Sequence, residues 1–88
     1  MKVKVKYLSR AREISKKLEE EVNLDGSSLE DLIDLLILKY GETFERYVYS
    51  SNRLNPLILV DGKMVNDKEY KLKEGSEVVF MSAIGGGN

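Results

Sequence analysis

The sequence contains no cysteine, no histidine and a single proline, Pro56. Without cysteine there is neither a disulfide framework nor a thiol nucleophile, and cysteine usage is compatible with the cytosol. Without histidine, the zinc sites built on Cys and His, the Ser-His and Cys-His nucleophile pairs and the commonest general base near neutral pH all drop out. Long apolar stretches are missing too. None exceeds the four residues Leu35 to Leu38, far short of the roughly 20 that a membrane-spanning helix needs. The opening residues alternate charged and apolar side chains instead of forming the apolar centre of a signal peptide. A cytoplasmic protein with no membrane association is expected. No charge predominates: 14 basic and 15 acidic side chains leave a net charge of −1, which gives no electrostatic reason to expect a nucleic acid partner.

What is present suits one small α+β domain. A chain of 88 residues buries roughly 60–65% of its unfolded surface, enough for one modest core. Lys2 to Leu8 sets Lys2, Lys4 and Lys6 against Val3, Val5 and Tyr7, the period of two of a half-buried strand. Ser9 to Glu13 is polar and interrupts the pattern. Leu18, Val22 and Leu24 restore it, with Glu20 on the apolar side, and predict a second strand antiparallel to the first. Ser27 and Glu30 have the spacing of a capping box. Beyond them Leu29, Leu32, Ile33, Leu36, Ile37 and Tyr40 form one helical stripe that Gly41 ends. Leu35 and Leu38 widen that stripe, so the helix is expected to be covered on two sides, with Phe44, Tyr47 and Val48 forming one cover as a short helical turn.

Pro56 opens a third strand, Leu57 to Val60, and Asp61-Gly62 predicts a tight hairpin into a short fourth strand, Lys63 to Val65. Asn66 to Lys73 reads as a connection anchored by Tyr70 and Leu72. The last strand, Glu77 to Met81, is apolar after its first residue. That is the pattern of a strand covered on both faces or paired in the middle of a sheet, and it is placed parallel to the first strand, since the helix supplies the long crossover such pairing needs. The expected architecture is a mixed four- to five-stranded sheet wrapped on one main helix, occupying residues 1–84, followed by a Gly-rich tail at 85–88.

That tail is the chemical oddity of the chain. Gly26, Gly41, Gly62 and Gly75 sit at expected turns, whereas Gly85, Gly86 and Gly87 are consecutive and turn chemistry does not explain them. Glycine lets backbone enter a narrow channel closed to other residues. The competing reading is a frayed end. Other charged groups have bland readings: Lys2, Lys4 and Lys6 as a solvated strand face, Glu19-Glu20-Glu21 as solvated charge, and Asp31 with Asp34 as helix-dipole partners. No convergent metal site is expected.

With these residues laid out, the chain resembles the ubiquitin-like, β-grasp sulfur carriers, which include the small subunit of molybdopterin synthase (MoaD), the thiamin sulfur carrier (ThiS) and archaeal relatives that also act as protein modifiers. Ala11-Arg12-Glu13 after the opening strand looks like the family's F-A-x-x-R-E segment. Leu57 to Gly62 matches its hairpin, Lys73 to Val78 is similar to its L-x-D-G-D-E-V turn, and Ile84-Gly85-Gly86-Gly87 matches its ending. The resemblance implies that the protein is not itself an enzyme and carries no cofactor. An E1-like adenylating partner would use ATP to activate the Gly87 carboxylate, Ile84, Gly85, Gly86 and Gly87 being the segment its channel grips. Sulfur would then give a thiocarboxylate, for molybdopterin synthesis or other sulfur transfer, or a lysine of a target protein would give an isopeptide bond. The molybdopterin synthase large subunit or conjugated target proteins are the implied later partners. Phe80, Val79 and Met81 are the candidate docking residues, with Lys4 and Lys6 at their rim; the alternative is that they are core. Two departures stand out: Met81-Ser82-Ala83 lacks the prolines common before the family's terminal motif, and Asn88 follows the glycines. Either a protease removes Asn88, or the chain is a β-grasp binding module with a chemically silent tail.

Overall fold

The computed structural model describes residues 1–82. The first strand, β1 (Lys2–Tyr7), has the expected alternation, with Val3, Val5 and Tyr7 fully buried. A short helix, α1 (Arg10–Ser15), follows where only a polar interruption was expected. It is little more than one turn long and buries Ala11 and Ser15, so no apolar stripe announces it. Lys16, in the left-handed region, closes it by donating its N–H to the Arg12 carbonyl at 2.8 Å. The second strand, β2 (Glu19–Asn23), pairs antiparallel with β1 as expected, Val3 opposite Val22 and Val5 opposite Glu20.

The main helix, α2 (Leu29–Tyr40), buries Leu29, Leu32, Ile33 and Leu36. Its capping box lies one residue later than the sequence suggests. Ser28 Oγ accepts from the Asp31 N–H at 3.0 Å, and the Asp31 carboxylate accepts from the Ser28 N–H at 3.1 Å and the Ser27 N–H at 2.9 Å. Ser27 is committed elsewhere: its carbonyl accepts from the Leu72 N–H at 2.7 Å, and Glu30 reaches toward Lys68. Gly26 fits this arrangement because a Cβ there would collide with the Asp31 side chain. Gly41 ends the helix at φ 82°, a conformation that costs glycine little. Next, α3 (Glu42–Val48) buries Phe44, Tyr47 and Val48 as the expected cover. Leu38 departs from expectation: it is 85% exposed, so the far side of α2 is left uncovered.

Two two-residue strands, β3 (Tyr49–Ser50) and β4 (Arg53–Leu54), make a small separate hairpin through Ser51 and Asn52, both at positive φ. The hairpin of β5 (Leu57–Val60) and β6 (Lys63–Met64) turns at Asp61 and Gly62, at φ 51° and 84°, as a two-residue connection requires. The last strand, β7 (Glu77–Met81), lies between β1 and β5, parallel to the first and antiparallel to the second, in the sheet order β2-β1-β7-β5-β6. Asp61 fastens its start: the Asp61 carboxylate accepts from the Glu77 N–H at 2.9 Å and the Ser76 hydroxyl at 3.2 Å. One core joins Val3, Val5, Ile58, Val60, Val78 and Phe80 on the sheet's inner face to the helices. The expected α+β mixed sheet on a main helix is what the chain forms. The proposed boundary between residues 84 and 85 lies outside the described residues.

Candidate functional site

Strand pairing decides which of the expected docking residues can meet a partner. Successive residues of a strand point to opposite faces, and β7 is buried at Val78 and Phe80 but half-buried at Glu77, Val79 and Met81. Phe80 is therefore excluded from the docking surface. It has no exposed area, lies nearly parallel to the Tyr7 ring at 6.4 Å and meets the Phe44 ring edge-on at 5.6 Å. Central pairing accounts for the apolar composition of β7 without cover on both faces.

Val79 and Met81 stand on the outer face, and register gives them neighbours that the sequence reading left out. Val79 is opposite Leu59, which is opposite Met64, while Met81 is opposite Leu57. Leu8 donates its N–H to the Phe80 carbonyl at 2.9 Å, which carries the parallel ladder one step further and sets Leu8 beside Met81. Leu57 and Leu59 are half-buried and Met64 is 63% exposed. The outcome is an apolar patch across three strands. The missing signal was the period of two in Leu57 to Val60 combined with the hairpin register, which places Leu59 and Met64 on one face.

The rim of this patch is of mixed charge rather than positive. Lys6 pairs with Glu77 at 3.2 Å and Lys4 lies 4.0 Å from Glu19. Exposed pairs of this kind contribute little stability. They set the charge pattern a partner meets.

Within the acidic run, Glu19 and Glu21 are exposed as expected of solvated charge, but Glu20 is not. Its carboxylate accepts from the hydroxyls of Tyr7 and Tyr40 on one oxygen, and from the ammonium groups of Lys17, at 3.0 Å, and Lys39 on the other. Burial pushes its pKa up, but the hydrogen bonds from Lys39, Tyr40, Tyr7 and Lys17 outweigh burial and bring it down to about 2. Burial, and then the bond to Glu20, push the Tyr7 and Tyr40 hydroxyls up. The cluster ties β2 to α2 and offers no free acid or base. Burial alone pushes Tyr47 up to about 12, and its hydroxyl has no hydrogen-bond partner among the described residues.

Among the described residues no three His, Cys, Asp or Glu side chains converge as metal ligands, and no helix is long and apolar enough to cross a membrane. Ile84, Gly85, Gly86, Gly87 and Asn88 lie outside the described residues. What the structure fixes is where the path toward them begins: β7 delivers the chain from the centre of the sheet, and its last residue, Met81, belongs to the outer apolar patch.

Comparison with known proteins agrees with this geometry. The ThiS family model matches residues 5–87. No curated protein matches the chain. Among solved structures, the putative molybdopterin converting factor subunit 1 of Pyrococcus furiosus is 32% identical with a TM-score of 0.78, the match covering 94% of this chain and 98% of that one. SAMP1 of Haloferax volcanii shares the fold at 18% identity and a TM-score of 0.81, covering 98% of this chain and 99% of that one. The complex of subunits 1 and 2 of the molybdopterin-converting factor of Helicobacter pylori contains a chain with the same fold, at 17% identity and a TM-score of 0.64, covering 98% and 99%.

Proposed function

Because the chain belongs to the ThiS family, we propose that it is a ubiquitin-like sulfur carrier that docks through its outer apolar patch and presents Gly87 to an adenylating enzyme. A carboxylate resists nucleophilic attack because it is already anionic at neutral pH. Activation removes that obstacle: a Gly87 carboxylate oxygen attacks the α-phosphorus of ATP and expels pyrophosphate, leaving an acyl-adenylate. A sulfur nucleophile of the partner then attacks the acyl carbon and expels AMP, on the way to a thiocarboxylate. Three glycines reach roughly 10 Å when extended, enough to carry the reacting atom into a channel on another protein. The Gly87–Asn88 bond must be cleaved first, by a protease, so that Gly87 bears a free carboxylate.

The observation that carries this reading is the continuity of the patch with the strand that leads into the glycines: Val79 and Met81 stand beside Leu57 and Leu59 on the exposed face. The proposed binding surface thus lies on the last strand before the reactive end in the sequence. The same adenylate attacked by a lysine amine would make the protein a modifier, a fate that belongs to the partner enzymes.

A second reading, docking with a silent tail, draws on Asn88. The experiment that separates them incubates a chain ending at Gly87, and one retaining Asn88, with the adenylating enzyme and ATP. A carrier supports pyrophosphate exchange only when it ends at Gly87, and it gains sulfur in place of oxygen at that residue by mass spectrometry. No exchange and an unchanged mass for both chains would sink the carrier reading and leave the docking module.

A further inference from the structure

We infer that the free edge of β2, together with the uncovered side of α2, is a second docking surface, built for an extended segment of a partner protein in which basic and aliphatic residues alternate. The surface is separate from the outer apolar patch and independent of any chemistry at Gly87.

The strand order puts β2 at the edge of the sheet, paired with β1 alone. The β1–β2 ladder is anchored by the Tyr7 N–H on the Leu18 carbonyl and the Leu24 N–H on the Met1 carbonyl, at 2.8 and 2.7 Å. Antiparallel pairing alternates, so the even-numbered residues Glu20 and Val22 turn their backbone groups toward β1. Glu19, Glu21 and Asn23 turn theirs off the sheet. Such an edge is a template for an added strand.

Beside this edge lies a shallow groove of about 260 Å³, walled by Asn23 to Gly26 at the end of β2 and by Asp34, Leu35 and Leu38 on α2. Leu38 is 85% exposed, and Leu18, just before β2, is 50% exposed. Two of the three large hydrophobic residues exposed among the described residues therefore flank this one edge, the third being Met64 on the other patch.

Register specifies the occupant. A strand added to β2 places alternate side chains beside Glu19 and Glu21 on the outer face and the others beside Val22 and the Glu20 cluster on the inner face, at the end of which the groove begins. Opposite charges across a strand pair stabilise it and like charges oppose it, so the outward positions call for lysine or arginine. Asp25 and Asp34 add negative charge at the groove, and its leucines call for aliphatic inward positions. The chain already shows this complement on the other side of β2, where Lys4 is opposite Glu21, Lys6 opposite Glu19 and Val3 opposite Val22. A second copy pairing through its own β2 would set glutamate against glutamate, which argues for a different protein as the occupant.

The test uses the full 88-residue chain and a synthetic capped peptide of alternating lysine and valine, with an aspartate-valine peptide as control. The expected result is amide shift changes and hydrogen-exchange protection at Glu19, Glu21 and Asn23 with the lysine peptide only. Binding should weaken about tenfold for Leu38→Lys or Glu21→Lys, equivalent to about 1.4 kcal/mol. Because Leu38 is exposed, Leu38→Lys should keep the parent's unfolding midpoint, whereas Glu21→Lys sets a lysine opposite Lys4 and should lower it slightly. Changes confined to Val79 and Met81, equal response to the aspartate peptide, no response at all, or concentration-dependent protection of the β2 edge without peptide would each overturn the inference, the last by making a second copy the occupant.

Discussion

Phe80 and Met81 are adjacent apolar residues of one strand, yet Phe80 has no exposed area and sits among the rings of Tyr7 and Phe44, whereas Met81 lies half-buried on the open face beside Leu57. The same alternation separates Val78 from Val79. Hydrophobicity alone does not distinguish these roles, because the inner face consumes its apolar area in folding and the outer face keeps it available for association. Phe80→Ala should therefore cost about 3–5 kcal/mol of stability, read as a large fall in the denaturant midpoint. If Met81→Ala cost as much, the two faces would not differ as described.

The Glu20 cluster offers the next largest effect. Glu20→Ala strands the Tyr7 and Tyr40 hydroxyls and frees two lysines, which should cost about 2–3 kcal/mol by denaturant unfolding. Because its folded pKa of about 2 lies below the ordinary 4.5, the stability contributed by ionised Glu20 is present above pH 4.5 and fades as pH falls toward 2. The difference corresponds to at most about 3 kcal/mol. Glu20→Gln should flatten the dependence of the unfolding midpoint on pH over that window; an unchanged slope would show that other carboxylates dominate it.

On the outer face, Met81→Asp should lower stability by under about 1 kcal/mol while weakening binding to the proposed adenylating enzyme about tenfold or more, measured by titration calorimetry. The smallest effect sharpens the inner-face account. Tyr47→Phe removes a buried hydroxyl that has no partner among the described residues and should leave stability unchanged or raise it by up to about 1 kcal/mol. Tyr7→Phe, which breaks a bond to Glu20, should lower it.

Elements with a local period or turn signature were legible in the sequence: the alternation of β1, the stripe of α2, and Asp61-Gly62 in the β5–β6 hairpin. Elements held by distant contacts were not. Helix α1 has only Ala11 and Ser15 buried, too few to make a period, and the β3–β4 turn uses left-handed Ser51 and Asn52 without glycine. Glu20 showed as a charge on an apolar face, but its partners Tyr7 and Tyr40 stand 13 and 20 residues away. One of the three expected docking residues was misplaced for the same kind of reason: apolar character marked Phe80 and Met81 alike, and only register assigned them to opposite faces. Leu57 and Leu59 joined the patch through pairings with Met81 and Val79 that no local window contains, whereas the Leu59–Met64 pairing lay within reach of the hairpin signal.

The side-by-side placement of β1 and β7 also governs the order in which the molecule can assemble. Tyr7 leaves the ribosome long before its neighbour Phe80 exists, and contacts so far apart in sequence make closure slow. Until β7 is synthesised, β1 and β5 lack the strand that joins them. A translation product stopping short of Glu77 has no central sheet, so the platform and the strand leading to the glycines come into being together.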